Sequence, residues 1–157
     1  MLEWIPAALK GVDSFEKTIK ALSALIKGKK GAKRAFLDEI RHDSTVCWLY
    51  LNRDADLAQV ISELKHDIYD QLSVQGFDFN SLKKGKIKSH PSLKKSDLKY
   101  FIGKSTEDLV VIIYKRIKDL KLTYKLSSDN VKNRFPVRVR NIQKRILLLL
   151  RHMRSKS

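Results

Sequence analysis

Residues 137–154 place Val139, Ile142, Ile146, Leu149 and Met153 at alternating steps of three and four. That step is the α-helical period, so one stripe of this segment has to be buried. Leu147, Leu148 and Leu150 widen the apolar zone beyond a single stripe. A helix apolar over so wide an arc needs more than one neighbour to cover it.

The rest of the chain supplies such neighbours. Six Gly and three Pro leave few helix breakers among 157 residues. Val12, Phe15, Ile19, Leu22 and Ile26 line one face of a first helix over 12–27, ended by Gly28-Lys-Lys-Gly31. Phe36, Ile40, Cys47, Tyr50 and Leu51 form the apolar side of a second, over 32–52. Leu57, Val60, Ile61, Leu64, Ile68 and Leu72 predict a third over 56–75, with Asp54 or Asp56 as N-cap and Gly76 as its stop. Val110, Ile113, Ile117, Leu120 and Tyr124 predict a fourth over 106–126. Ser105 is its N-cap, and Asp108 stands in the capping-box position. Pro136 is tolerated only near a helix start, so the last helix begins at about residue 135.

Residues 76–104, between the third and fourth helices, form an irregular lysine-rich connection. Phe77 and Phe79 are expected to dock on the bundle, with short helical turns near 79–84 and 96–101. The expected fold is one all-α domain spanning residues 1–157, a bundle of about five helices.

Charge is divided unevenly along this layout. Residues 1–75 hold 11 Lys and Arg against 11 Asp and Glu, while residues 76–157 hold 22 against 6. The whole net charge of +16 therefore lies in the second half. A field confined to one half implies an anionic partner there, either nucleic acid or an anionic membrane surface. The plainer alternative is a solvated basic surface with no dedicated partner. Lys83, Lys84, Lys86, Lys88, Lys94 and Lys95 are the candidate RNA or phosphate contacts, with Tyr100 and Phe101 placed to stack bases. Gly103-Lys104-Ser105 matches the end of a phosphate-binding loop, but Leu98 stands where its first Gly belongs, so no nucleotide site is expected.

The single Cys47 excludes an internal disulfide, and no Cys/His set has zinc-ligand spacing. No metal or cofactor is expected. Glu3 and Lys10 interrupt the N-terminal apolar residues, which argues against a signal peptide, and no stretch approaches the roughly 20 apolar residues of a spanning helix. The expected location is the cytoplasm, with peripheral or oligomer-inserted association at the inner membrane still open. Residues 1–11 form an apolar lead-in. Trp4 and Ile5, with Phe15, Ile19 and Leu22, are candidate membrane or subunit contacts. Asp38 and His42 are four apart, a spacing that fits a catalytic couple but more often a surface pair.

A second stripe flanks the apolar face of the last helix: Arg138, Asn141, Arg145 and His152. Arg145 and His152 are seven residues apart, about two turns, and project from nearly the same face. The spacing Arg145-x6-His152 resembles the Arg-x4–6-His signature of the HEPN superfamily, helical bundles common in RNA-cleaving toxins and antiviral defence systems. The resemblance implies His152 as general acid/base toward an RNA 2′-hydroxyl, Arg145 on the phosphate, and Asn141 and Arg138 orienting the substrate, with no metal. The overall pattern also looks like the pore-type accessory proteins of type VI-B CRISPR systems, which implies a membrane-associated ring.

Three functions follow as expectations. The first is a prokaryotic antiviral-defence accessory protein acting as a membrane-associated, pore-forming homo-oligomer, with a CRISPR effector or another defence protein as partner. The second is a metal-independent HEPN ribonuclease. The third is a non-enzymatic RNA- or protein-binding module built on the lysines of 83–104.

Overall fold

The computed structural model describes residues 12–127 and 134–156, with side chains described from Glu16 onward. Helix α1 spans Val12–Lys27, α2 Gly31–Arg53, α3 Leu57–Glu63 and α4 Asp67–Val74. A 3₁₀ turn at Phe79–Leu82, the single-turn α5 at Pro91–Lys94 and a second 3₁₀ turn at Asp97–Phe101 fill the connection. Helix α6 spans Thr106–Leu126 and α7 Phe135–Arg154. No strand occurs among the described residues. The all-α bundle is the one expected. Trp4 and Ile5 lie outside the described residues, as does the Phe15 side chain.

Helix α7 is the centre of the bundle, packing on both α6 and α2. Leu147, Leu148, Leu149 and Leu150 are all buried, as a helix with two neighbours requires. Helix α1 lies on α2, where Leu22 and Ile26 are buried. Leu22, a candidate for membrane or subunit contact, is only 2% exposed and serves this chain's own core instead. Ile19 is half-buried.

The predicted third helix is broken. Its apolar stripe is continuous, yet the backbone leaves the helix at Leu64, passes through Lys65 and re-enters at Asp67. A break frees backbone groups that need partners in a buried setting. Three side chains from neighbouring helices meet that need. On α2, the Glu39 carboxylate accepts from the Ile68 and Tyr69 N–H groups at 2.8 and 3.1 Å, and Asp43 Oδ1 accepts from Lys65 N–H at 2.8 Å. On α6, Lys121 Nζ donates to the carbonyls of Ile61, Ser62 and Leu64. The Glu39 carboxylate therefore stands at the start of α4 and the Lys121 cation at the end of α3, each matching the local helix dipole. Burial pushes the Asp43 carboxyl up to about 8, assisted by the charge of Glu39 and opposed by the hydrogen bond from Lys65 N–H.

This elbow sets the aromatic core. Tyr69, held by Glu39, stacks on Tyr114 of α6 with centroids 4.2 Å apart and planes 8° from parallel. Phe36 of α2 meets both Tyr114 and Phe79, which brings the 79–82 turn onto the bundle as expected. Asp38 and His42 do not pair. Asp38 binds Arg41, and His42 Nε2 lies 2.9 Å from the Glu63 carbonyl oxygen, so this spacing carries no catalytic couple here.

Glu39→Ala should leave two part-buried N–H donors unmet and lower the unfolding free energy by about 2–4 kcal/mol, with Glu39→Gln, which keeps one acceptor, losing about half as much. Urea unfolding of the three proteins checks this, and equal midpoints contradict the elbow.

Candidate nucleic-acid interface

Helix α6 starts with a complete capping box. Ser105 Oγ accepts from Asp108 N–H, and the Asp108 carboxylate accepts from Ser105 N–H. With that start, Ile113, Ile117 and Leu120 turn inward onto α7. Arg116 and Asp119 are left at the edge of the seam. Helix α7 brings Arg138, Asn141 and Arg145 to the same edge, and these residues line one cleft with Leu120 and Ile142 at its base.

The cleft has an unbalanced charge. Arg145 is half-buried, Nη1 donates to the Asn141 backbone carbonyl at 2.9 Å, and Nε is buried with no hydrogen-bond partner among the described residues. Burial, and next the charge of Arg116, hold its pKa below the ordinary guanidinium value, while Asp97 acts in the opposite direction. Asp119, the one carboxylate lining the cleft, pairs with Lys115 at 3.1 Å. Arg138 is exposed, with Cζ 5.9 Å from the Phe135 ring centre. Arg145 itself sits 5.8 Å over the ring of Phe101.

His152 has a different setting. It is 4% exposed, and its Nε2 lies 2.8 Å from Thr106 Oγ1. The Thr106 hydroxyl has one proton, which goes to the Lys83 carbonyl at 2.6 Å, so it accepts from His152 Nε2–H. His152 lines a separate cleft with His90, Lys88, Arg151 and Ser155. Among the described residues, Arg145 and His152 share a helix but line different clefts.

Two of the six candidate lysines are engaged within the fold. Lys83 Nζ donates to the Ser155 carbonyl and Lys88 Nζ to the Lys156 carbonyl, at the C-terminal end of α7 where a cation is favoured. Lys84, Lys86, Lys94 and Lys95 are exposed. Of the two candidate stacking rings, Tyr100 is exposed and Phe101 is buried.

Sequence reasoning missed Arg116. Its position four residues from both Ile112 and Leu120 put it on the rim of the buried stripe, a signal that was present. It also missed the buried Glu39 and Asp43, whose partners lie more than 20 residues away in a backbone break that the periodicity concealed. Among the described residues no group of His, Cys, Asp and Glu is arranged to hold a metal ion. Compared with known family models, curated proteins and solved structures, the chain matches none.

Burial first, then the charges of Lys83 and Lys88, hold the His152 pKa below the ordinary imidazole value. The unfolded chain therefore takes up this proton before the folded chain does. Stability should be fully present above about pH 6.5 and fall on acidification through that value. His152→Gln keeps a donor for Thr106 and removes the titration. Urea midpoints between pH 7 and 5 should fall less steeply for the variant, and parallel curves contradict the assignment.

Proposed function

We propose that this protein is an RNA-binding helical module whose α6–α7 cleft holds phosphates of the backbone. The observation that carries this reading is the half-buried Arg145, whose Nε has no partner among the described residues and whose neighbour in the cleft is Arg116. Three guanidinium groups around one cleft repel each other until an anion lies between them. Phosphate matches the planar fork of arginine in charge and geometry. A nucleic acid presents phosphates in series, and the exposed Lys84, Lys86, Lys94 and Lys95 extend the basic surface along the connection.

The ribonuclease reading asks Arg145 and His152 to meet one phosphate, whereas they line two clefts and the His152 Nε2 is engaged by Thr106. Binding is the better-supported activity. The pore reading rests on Trp4 and Ile5, outside the described residues, and on an α1 stripe whose Leu22 and Ile26 face the core. Among the described residues no helix is long and apolar enough to cross a membrane.

Fluorescence anisotropy with an unstructured RNA oligonucleotide tests the binding reading. Arg116→Ala combined with Arg138→Ala should weaken affinity about ten-fold or more. The slope of log K against log salt should flatten by about 1.4, the counterion release of two lost contacts on a single strand. Both sites are exposed, so the fold should be unchanged. Affinity and slope equal to those of the parent protein would refute the proposal.

A further inference from the structure

We infer that the chain seats an unpaired base on Tyr100, in a pocket one turn along α6 from the arginine cleft, which makes the ligand a single strand rather than a duplex. This rests on the α6–α7 cleft being a phosphate site. The 3₁₀ turn at Asp97–Phe101 sends its two consecutive rings in different directions. Phe101 is 3% exposed and lies beneath the Arg145 guanidinium, 5.8 Å from Cζ. Tyr100 is 65% exposed and stands edge-on to Phe101, with centroids 5.4 Å apart and planes at 82°. The Tyr100 ring centre and the Arg145 guanidinium are therefore at most about 11 Å apart, within reach of one nucleotide and its neighbour.

The surroundings of Tyr100 suit a base better than a phosphate. Lys104 Nζ lies over one face of the ring, 4.9 Å from its centre, and still leaves most of the side chain in solvent. Val111 and Ile112 of α6 form an apolar wall of the same shallow pocket, and Val111 is itself exposed. Of the two acids there, Asp108 is engaged in the capping box with Ser105. The other, Glu107, disfavours a phosphate at this point but tolerates a neutral base. An exposed ring with a cation over one face and the other open to a base, next to guanidinium groups, is the pairing that single strands use: bases stack on the ring and the backbone follows the charge. A duplex keeps its bases stacked inside and cannot lay one on Tyr100.

The test compares Tyr100→Ala, Tyr100→Trp and the Arg116→Ala/Arg138→Ala double variant on a single-stranded RNA oligonucleotide and on its blunt duplex, by anisotropy at fixed salt. Tyr100→Ala should weaken single-strand binding about ten-fold and leave duplex binding unchanged. Tyr100→Trp should restore single-strand binding. The double arginine variant should weaken both probes. If it does so while Tyr100→Ala changes neither probe or both equally, the base site is refuted and the phosphate reading stands. If the parent protein binds neither probe, both are refuted.

Discussion

Arg145 carries its charge into the α6–α7 seam with no carboxylate hydrogen-bonded to it among the described residues, and the next charge it meets there is Arg116. Asp97 acts on Arg145 only at longer range and lies 3.9 Å from Lys144. Burying a cation next to another cation is unfavourable for folding alone. The rest of the bundle has to outweigh that cost, and it does so through burial. Helix α7 places Val139, Ile142, Ile146 and Leu149 in the core between α2 and α6, so the Arg138–Arg145 edge is fixed to a rigid frame. A site held by packed helices keeps its groups spaced for a ligand, where a loop would let them turn apart into water.

The frame depends in turn on how the polar groups of the α3–α4 elbow are satisfied. Glu39 and Asp43 reach from α2, and Lys121 reaches from α6, so the break ties together the two helices that flank α7. The same α6 carries Lys121 toward the elbow and Arg116 toward the cleft. At the far end of α7, Thr106, His152 and Lys83 form a second polar tie between α7, the start of α6 and the connection. The two stretches of α7 thus have different surroundings: His152, in the last turn, is tied to Thr106, and the Arg138–Arg145 stretch lines the α6–α7 cleft.

Much of the frame was legible in the sequence because burial imposes period. The α1, α6 and α7 boundaries follow directly from apolar spacing, Pro136 and the Ser105/Asp108 capping box. What escaped was set by long-range polar contacts. Nothing in the stripe from Leu57 to Leu72 announces a break at Leu64–His66, because the groups that make it tolerable sit on α2 and α6. Helical spacing put Arg145 and His152 on one face, but it does not show which cleft each side chain lines or that Thr106 binds the imidazole. Tyr100 and Phe101 are alike in sequence terms, and only the 3₁₀ turn separates an exposed ring from a buried one.

The most direct measurement is photo-crosslinking of a thiouridine-substituted single-stranded RNA, with the adducts mapped by mass spectrometry. The account predicts adducts on Tyr100 and on α7 between Arg138 and Arg145. Adducts confined to Lys84–Lys95 or to residues 1–11 would contradict it.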